Sequence, residues 1–343
     1  MNHSSDITNG TQINTSIEPE KKLPFEFRGD GTEYFKIWIV NILLTIVTLG
    51  IYSAWATVRN NRYFYSNLYL DNDNFRYLAD PITILKGRLI AIAAFIAYYV
   101  ASIFYPAVGI AFAVALIFAI PYFINQSVAF NNRMSSYKNI QFRFKGSYKQ
   151  AFMVIYVWPL LGMLTMGILY PLAILKANEY FVRNSAYGTS QFNFNATYKD
   201  YAMIFLTALG IALVIGVPIG LITYFVPTFA LVSPVLLMIL YFALIIYVLV
   251  SFTNIFYASL SLVEHKFEAN LTMTGQAKVI LINFFLTIIT LGLYLPAAKV
   301  RMAKYLCSCI TMNTTGSLDN FSAAEKESIS ALGEEFGQVF DFA

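Results

Sequence analysis

Few side chains in this sequence are of the types that carry out catalysis or bind metals. The chain has two histidines, His3 and His265, and two cysteines, Cys307 and Cys309. Their spacing does not match a zinc site, and two cysteines cannot form a disulfide framework. The sequence also contains no glycine-rich phosphate loop and no serine nucleophile motif. We therefore expect inert thiols, a solvated loop around His265, and no catalytic residue, metal or cofactor.

A second set of polar groups lies within long apolar segments and could line a path for a solute. These segments contain no Asp, Glu, Lys, Arg or His, the residues that usually mark an ion path or a proton relay. Hydrogen bonding between helices is the other role of such polar groups in membranes. The groups are Asn41, Thr48, Thr165, Asn283 and Thr290.

Two cations, Lys86 and Arg88, stand at the start of another apolar segment. Long basic side chains at such a position can extend to the lipid headgroups. We predict that they contact anionic headgroups, with binding of an anionic solute as the alternative.

The composition identifies the class of protein. Hydrophobic residues make up 58% of the 343 positions and charged residues 12%, about half of what a soluble domain carries. This excludes a cytosolic globular enzyme, a disordered chain and a nucleic-acid-binding protein, and it predicts a lipid bilayer as the main partner. Residues 1–24 lack the apolar core of a signal peptide, so the first membrane segment is expected to direct targeting. The apolar runs are Ile37–Val58, Leu89–Asn132, Gln150–Leu175, Tyr201–Val263 and Val279–Ala298.

The first, third and fifth apolar runs, which we call the a segments, belong to a unit that recurs along the chain. Residues Phe25–Tyr63 align without gaps with Phe142–Tyr180 and with Phe267–Tyr305, and a Thr-x-Gly motif keeps its place in all three. This predicts two full repeats, 25–141 and 142–266, and a partial one, 267–312. A polar tail, 1–24, precedes them and an acidic soluble tail, 313–343, follows.

Each a segment contains a glycine where the helix could break and turn inside the membrane, with close helix packing as the alternative role. If the a segments cross once, the Lys and Arg residues divide 9 to 14 between the two sides. If they return, all 23 lie on one side, which the positive-inside rule favours. In either case the C-terminus is predicted to be cytoplasmic. Counting single crossings gives seven spans. The predicted break residues are Gly50, Gly167, Gly292, Pro171 and Pro296.

The charged blocks contain short alternating aromatic motifs such as Phe25-Glu26-Phe27 and Phe142-Arg143-Phe144. Period-two alternation is typical of strands. We therefore predict an all-α polytopic membrane protein with internal repeats, two full and one partial, and short cytoplasmic β-hairpins.

The C-terminal tail is predicted to form an amphipathic helix. Ser322 to Glu325 form a capping-box pattern, and Ile329, Leu332, Phe336 and Val339 recur at helical spacing.

The stretch Phe25–Ala91 resembles the bacterial inner-membrane YjgN family, whose function is unknown. The resemblance implies a multi-pass protein of the inner membrane and implies no substrate, cofactor or catalytic residue. We expect a channel or transporter for a small solute or lipid, because repeated segments with glycine breaks are typical of transport sites. The alternative is an envelope protein that binds a partner through its cytoplasmic β layer and tail, and the oligomeric state is left open. The matching residues are Phe25, Phe27, Gly29, Glu33-Tyr34-Phe35, Thr48-Leu49-Gly50-Ile51-Tyr52, Trp55-Ala56, Arg59, Arg62-Tyr63-Phe64-Tyr65 and Lys86-Gly87.

Overall fold

A computed structural model describes the backbone of residues 21–340 and the side chains of residues 21–330. Most of the predicted polar tail, including His3, lies outside the described residues, as do the side chains of Leu332, Phe336 and Val339. The first strand begins at Lys21, ahead of the Phe25 at which the first repeat was expected to start.

Ten antiparallel strands close into one barrel, in which each strand pairs with its neighbours in the chain and the last pairs with the first. The strands that precede helices and those that follow them alternate around the barrel. The strands are β1 (Lys21–Phe27), β2 (Leu68–Leu70), β3 (Asp73–Tyr77), β4 (Ser135–Tyr137), β5 (Ile140–Phe144), β6 (Ser185–Tyr187), β7 (Ser190–Phe194), β8 (Leu260–Leu262), β9 (His265–Ala269) and β10 (Ile310–Thr314).

Two-residue turns at one end of the barrel join β2 to β3, β4 to β5, β6 to β7 and β8 to β9. In the first two, Asp71-Asn72 and Lys138-Asn139, both residues have positive φ, as a type I′ hairpin turn requires. Asn and Asp tolerate this conformation well. The twist of such turns matches that of the strands, so each hairpin forms locally.

Helices occupy the other end of the barrel and form five excursions, each leaving from an odd-numbered strand and returning to the next even-numbered one. The last helix, α12, follows β10 at the turn end. The helices are α1 (Gly31–Val47), α2 (Ser53–Ser66), α3 (Pro81–Phe104), α4 (Pro106–Met134), α5 (Tyr148–Phe152), α6 (Trp158–Leu164), α7 (Tyr170–Arg183), α8 (Tyr198–Phe225), α9 (Ser233–Ala258), α10 (Met273–Ile289), α11 (Leu295–Cys309) and α12 (Leu318–Phe340), with a π-helical turn at Met153–Val157 and a 3-10 turn at Pro227–Leu231.

The prediction of an all-α protein with separate short hairpins is wrong. Strands lie at the alternating aromatic motifs, as predicted. Each hairpin also pairs with the next across a helical excursion, as Phe75 does with Tyr137. The final pairing of β10 with β1 leaves no open edge, so no unpaired strand is available for aggregation with another chain. The result is a mixed α and β protein built around a closed barrel.

Four helices of the described chain, α3, α4, α8 and α9, are long and apolar enough to cross a membrane. They form two excursions, α3–α4 and α8–α9, which turn at Tyr105 and near Val226. The a segments are shorter: α1 has 17 residues, or about 25 Å, against the roughly 30 Å of a hydrocarbon core. Both ends of every excursion attach to the same end of one barrel, so the chain of each a segment leaves that end and returns to it.

Candidate functional site: an apolar chamber between the barrel and the helices

A ring of phenylalanines lines the inside of the barrel. Each odd-numbered strand contributes one, and four neighbouring pairs stack with ring centroids 6.4 Å apart. Across each strand pair the phenylalanine faces a large apolar side chain, which is the arrangement that best stabilises antiparallel neighbours. The ring consists of Phe25, Phe75, Phe142, Phe192 and Phe267.

A chamber of about 830 Å³ lies between this ring and the helices. Its walls come from α2, α7, α9 and α11, and no charged side chain lines it among the described residues. The polar wall residues are largely satisfied locally: Asn178 donates to the Tyr201 hydroxyl at 2.7 Å, and Thr253 donates to the Leu249 carbonyl at 2.8 Å. The volume is within the range of ligand-binding pockets, roughly 300–1,000 Å³. The apolar wall includes Phe64, Ile174, Phe252, Phe256, Ala303 and Leu306.

A smaller cavity of about 220 Å³ lies inside the barrel, and it shares Phe25 and Leu68 with the chamber wall. Its lining is apolar apart from Ser322 of α12 and the hydroxyls of two barrel tyrosines. The Tyr137 hydroxyl donates to the Leu70 carbonyl at 2.8 Å, and the Tyr187 hydroxyl donates to the Tyr137 carbonyl at 3.1 Å. Burial raises the pKa of both tyrosines, so both remain neutral donors.

The first turns of α12 cover the turn end of the barrel. Leu318 is 3% exposed, and Phe321 stacks on Tyr187 with centroids 6.0 Å apart. Phe321 also meets the ring of His265 edge-on at 4.9 Å. The helix therefore closes the cavity with apolar side chains.

A buried carboxylate, Glu325, fixes α12 to the β6–β7 turn. One carboxylate oxygen accepts from the Thr189 backbone N–H at 2.7 Å and from the Thr189 hydroxyl at 2.8 Å, and the other accepts from the Ser190 hydroxyl. A Cβ at Gly188 would clash with this carboxylate, and the φ of 61° at this position also favours glycine. Ser322 lies inside α12, which begins at Leu318, so the predicted capping box at Ser322 is wrong.

An ion pair at the neighbouring β4–β5 turn also holds α12 on the barrel. The Lys138 ammonium, whose side chain is 8% exposed, lies 2.9 Å from Asp73 and also binds Asp319 of α12. Burial alone would lower the pKa of Lys138, but the hydrogen bonds to Asp319 and Asp73 raise it above the ordinary value. The hydrogen bond from Lys138 lowers the pKa of Asp319. Both groups are therefore charged at neutral pH.

His265 is buried in β9 and not in a solvated loop, so that prediction is wrong. It is 4% exposed, and its Nδ1 has no hydrogen-bond partner among the described residues. Burial lowers its pKa, and the nearby Glu264 opposes this shift only in part. Its ring contacts Phe321 of α12, so the helix that closes the barrel packs against a neutral imidazole.

The predicted break residues lie at the tips of the a segments. In the first, Leu49 and Gly50 have φ of 48° and 92°, and the Gly50 N–H donates to the Thr45 carbonyl at 2.7 Å. With the bond from the Leu49 N–H to the Ile46 carbonyl, this is a Schellman ending of the helix. The same conformation recurs at Gly167 and Gly292, while Pro171 and Pro296 lie in the first turns of α7 and α11.

The threonines of the Thr-x-Gly motif serve these turns. The Thr48 hydroxyl donates to the Leu44 carbonyl at 2.7 Å and accepts from the Tyr52 N–H at 2.9 Å. Thr165 and Thr290 make the corresponding bonds in the other two turns. These hydroxyls thus join the end of one helix to the start of the next, and they do not lie on the chamber wall.

The two predicted polar asparagines connect the helices of their own hairpins. The Asn41 amide donates to Asn60 at 2.9 Å, and the Asn283 amide donates to the Ala298 carbonyl at 3.1 Å. The side-chain oxygens of Asn41 and Asn283 are buried without a partner among the described residues. Neither residue lies on the chamber wall.

The two predicted headgroup cations differ in their surroundings. Lys86 is exposed on α3. The Arg88 guanidinium donates to the Ser53 hydroxyl at 2.6 Å and to the Thr57 hydroxyl at 2.9 Å. Arg88 therefore attaches α3 to the return helix of the first a segment.

Comparison with known proteins adds to this geometry. The aligned part of the inner membrane protein YjgN of Salmonella typhimurium is 26% identical and covers 88% of this chain and 90% of that protein. The YjgN proteins of Escherichia coli O157:H7 and K12 are each 29% identical over 45% of this chain and 40% of their own length. No solved structure matches. The sequence model of DUF898, bacterial proteins of unknown function, matches residues 22–339, so the chain belongs to this family.

Proposed function

We propose that this protein binds a lipid acyl chain, or another apolar molecule of similar size, in the chamber and transfers it between the membrane and the barrel side. The observation that carries the proposal is the 830 Å³ chamber with apolar walls at the centre of the helices. Burial of apolar ligand surface against these walls provides about 25 cal/mol per Å². A path for hydrated ions would instead need polar groups that replace the hydration shell.

The chamber also has a suitable position relative to the membrane. The chamber-lining part of α9 (Phe252 to Tyr257) is at the barrel end of a helix long enough to span the bilayer, so the chamber is near one membrane surface. The tips of the a segments carry apolar side chains that are 94–98% exposed, Leu49, Met166 and Leu291, which favours their insertion into lipid. These features support three returning segments around a lipid-accessible chamber.

The orientation is part of the proposal. All 23 Lys and Arg residues lie in or near the barrel half of the molecule, and the far turns at Tyr105 and Val226 have none nearby. The positive-inside rule then puts the barrel and the C-terminus in the cytoplasm of a bacterial cell, below the inner membrane. The recurrence of the same turn at Gly50, Gly167 and Gly292 supports an origin by internal duplication.

The experiment measures lipid bound to the purified protein by native mass spectrometry, with a fatty acid carrying a fluorophore as a second probe. Ala303→Trp places an indole in the chamber, and Ser308→Trp places one on the exposed side of the same helix as the matched control. We expect Ala303→Trp to bind lipid about tenfold more weakly than the wild type, and Ser308→Trp to bind it as tightly as the wild type. Equal binding by both variants and the wild type would refute the chamber as the site.

Transfer is tested separately in proteoliposomes that contain a fluorescent phospholipid. We expect the wild type to speed the movement of the probe out of the proteoliposomes into protein-free acceptor vesicles, Ala303→Trp to abolish this and Ser308→Trp to retain it. A protein that binds lipid without moving it would limit the function to binding.

A further inference from the structure

We propose that a groove between α4 and β5 binds the headgroup of an anionic phospholipid. The groove has a volume of about 370 Å³ and lies outside the barrel, apart from the chamber. One wall comes from α4 with Gln126 and Arg133. The other comes from β5 and the loop after it, with Gln141, Arg143 and Lys145.

Three cations face this groove without a counter-charge. Its lining contains Arg133, Arg143 and Lys145 and no carboxylate. Within the described part of the chain, none of the three has an ion-pair partner. Cations that converge in this way repel one another, and a bound anion relieves the repulsion. Phosphate oxygens accept charge-assisted hydrogen bonds from both guanidinium and ammonium groups.

The neighbouring groove beside α5 and α7 provides a comparison. It also holds cations, but Glu179 lies 2.8 Å from Lys176 and 2.9 Å from Arg183. There the protein supplies its own anion. Between α4 and β5 it does not, so that groove is the one left for an external anion.

The floor of the groove is fixed before any ligand binds. Asn125 is 8% exposed, its amide donates to the Gly146 carbonyl at 3.2 Å, and its oxygen accepts from the Tyr180 hydroxyl at 2.6 Å. A Cβ at Gly146 would clash with the Tyr180 hydroxyl oxygen, so the loop packs directly on this tyrosine. A preformed site loses less entropy on binding.

The depth of the groove favours a lipid over a free solute. Arg133 is in the last turn of α4, at the barrel end of a helix that is long and apolar enough to span a membrane. Nearer the middle of α4, the side chains of Phe118, Tyr122 and Phe123 are 52–59% exposed and offer an apolar surface to acyl chains. Basic pockets at this level of membrane proteins bind anionic headgroups.

The test compares binding of phosphatidylglycerol and phosphatidylcholine to the purified full chain by native mass spectrometry. A triple variant, Arg133→Gln, Arg143→Gln and Lys145→Gln, removes the three cations. A control triple variant, Lys36→Gln, Lys199→Gln and Lys278→Gln, removes the same charge from exposed positions in three other helices. A third variant, Arg133→Lys, Arg143→Lys and Lys145→Arg, keeps the charge and remains informative if the first does not fold.

We expect the wild type to prefer phosphatidylglycerol, the first variant to lose this preference by about tenfold, and both other variants to keep it. An equal loss in the control variant, or loss in the charge-keeping variant, would overturn the site. Inorganic phosphate is the competing probe. If it displaces phosphatidylglycerol at equal concentration, the groove is a site for a soluble phosphate and the lipid proposal fails.

Discussion

Glu325 should control whether α12 stays on the barrel. Its carboxylate accepts three hydrogen bonds, from the Thr189 N–H, the Thr189 hydroxyl and the Ser190 hydroxyl, and the side chain is 5% exposed. In Glu325→Gln the charge is lost and an amide NH₂ faces hydroxyl donors. Bonds to a charged acceptor contribute about 1.5–3 kcal/mol each against about 1 kcal/mol for neutral pairs. We estimate a loss of about 2 kcal/mol in docking free energy, since part of the bonding can rearrange.

The assay is hydrogen–deuterium exchange of peptides from α12 at neutral pH. A loss of about 2 kcal/mol raises the open population of the helix about 30-fold, so its amides should exchange correspondingly faster. Glu327→Gln is the control, because it removes the same charge from an exposed position on the same helix. Unchanged exchange in Glu325→Gln, or equal acceleration in Glu327→Gln, would refute this account of the contact.

Three further predictions follow from the barrel and its cover. Acidification below pH 6.5 should release α12 from the barrel. Burial holds the pKa of His265 below that value, so protonation of its imidazole destabilises the docked state. His265→Phe should remove this pH dependence in the same exchange assay. Gly146→Ala should lower the melting temperature strongly, since its Cβ would clash with Tyr180, whereas Gly87→Ala, with open space around it, should leave it nearly unchanged. In a cysteine-free background and intact cells, a thiol reagent that cannot cross the membrane should label a cysteine at Ala107 and not one at Asn72, and the reverse would contradict the orientation.

Sequence patterns were sufficient for part of this architecture. The alternating aromatic motifs indicated the odd-numbered strands, because a pattern such as Phe142-Arg143-Phe144 is long enough to show a period of two. Four of the five partner strands, such as Ser185–Tyr187, have only three residues and show no period. Closure of the barrel depends on pairing between distant hairpins, and no local pattern encodes that register.

The site was harder to predict than the fold. The chamber wall is made of ordinary apolar residues such as Phe252 and Leu306, which look the same in sequence whether they face a cavity or a packed core. His265 lies between Glu264 and Lys266, and these charges suggested a loop, although its own side chain faces the barrel interior. A possible signal was the alternation His265, Phe267 and Ala269, which puts His265 on the inward face of the strand.

Closure of the barrel also constrains how the protein is made. Lys21 pairs with Thr314, so the first strand waits for its partner until almost the whole chain has left the ribosome. All five helical excursions precede β10, so they are synthesised while the strands still form an open sheet with two free edges. Pairing between such distant segments is slow, and the open sheet is the stage most exposed to aggregation. A chain that terminates before Ile310 would keep those edges permanently, so the barrel edges are protected only after β10 has been made.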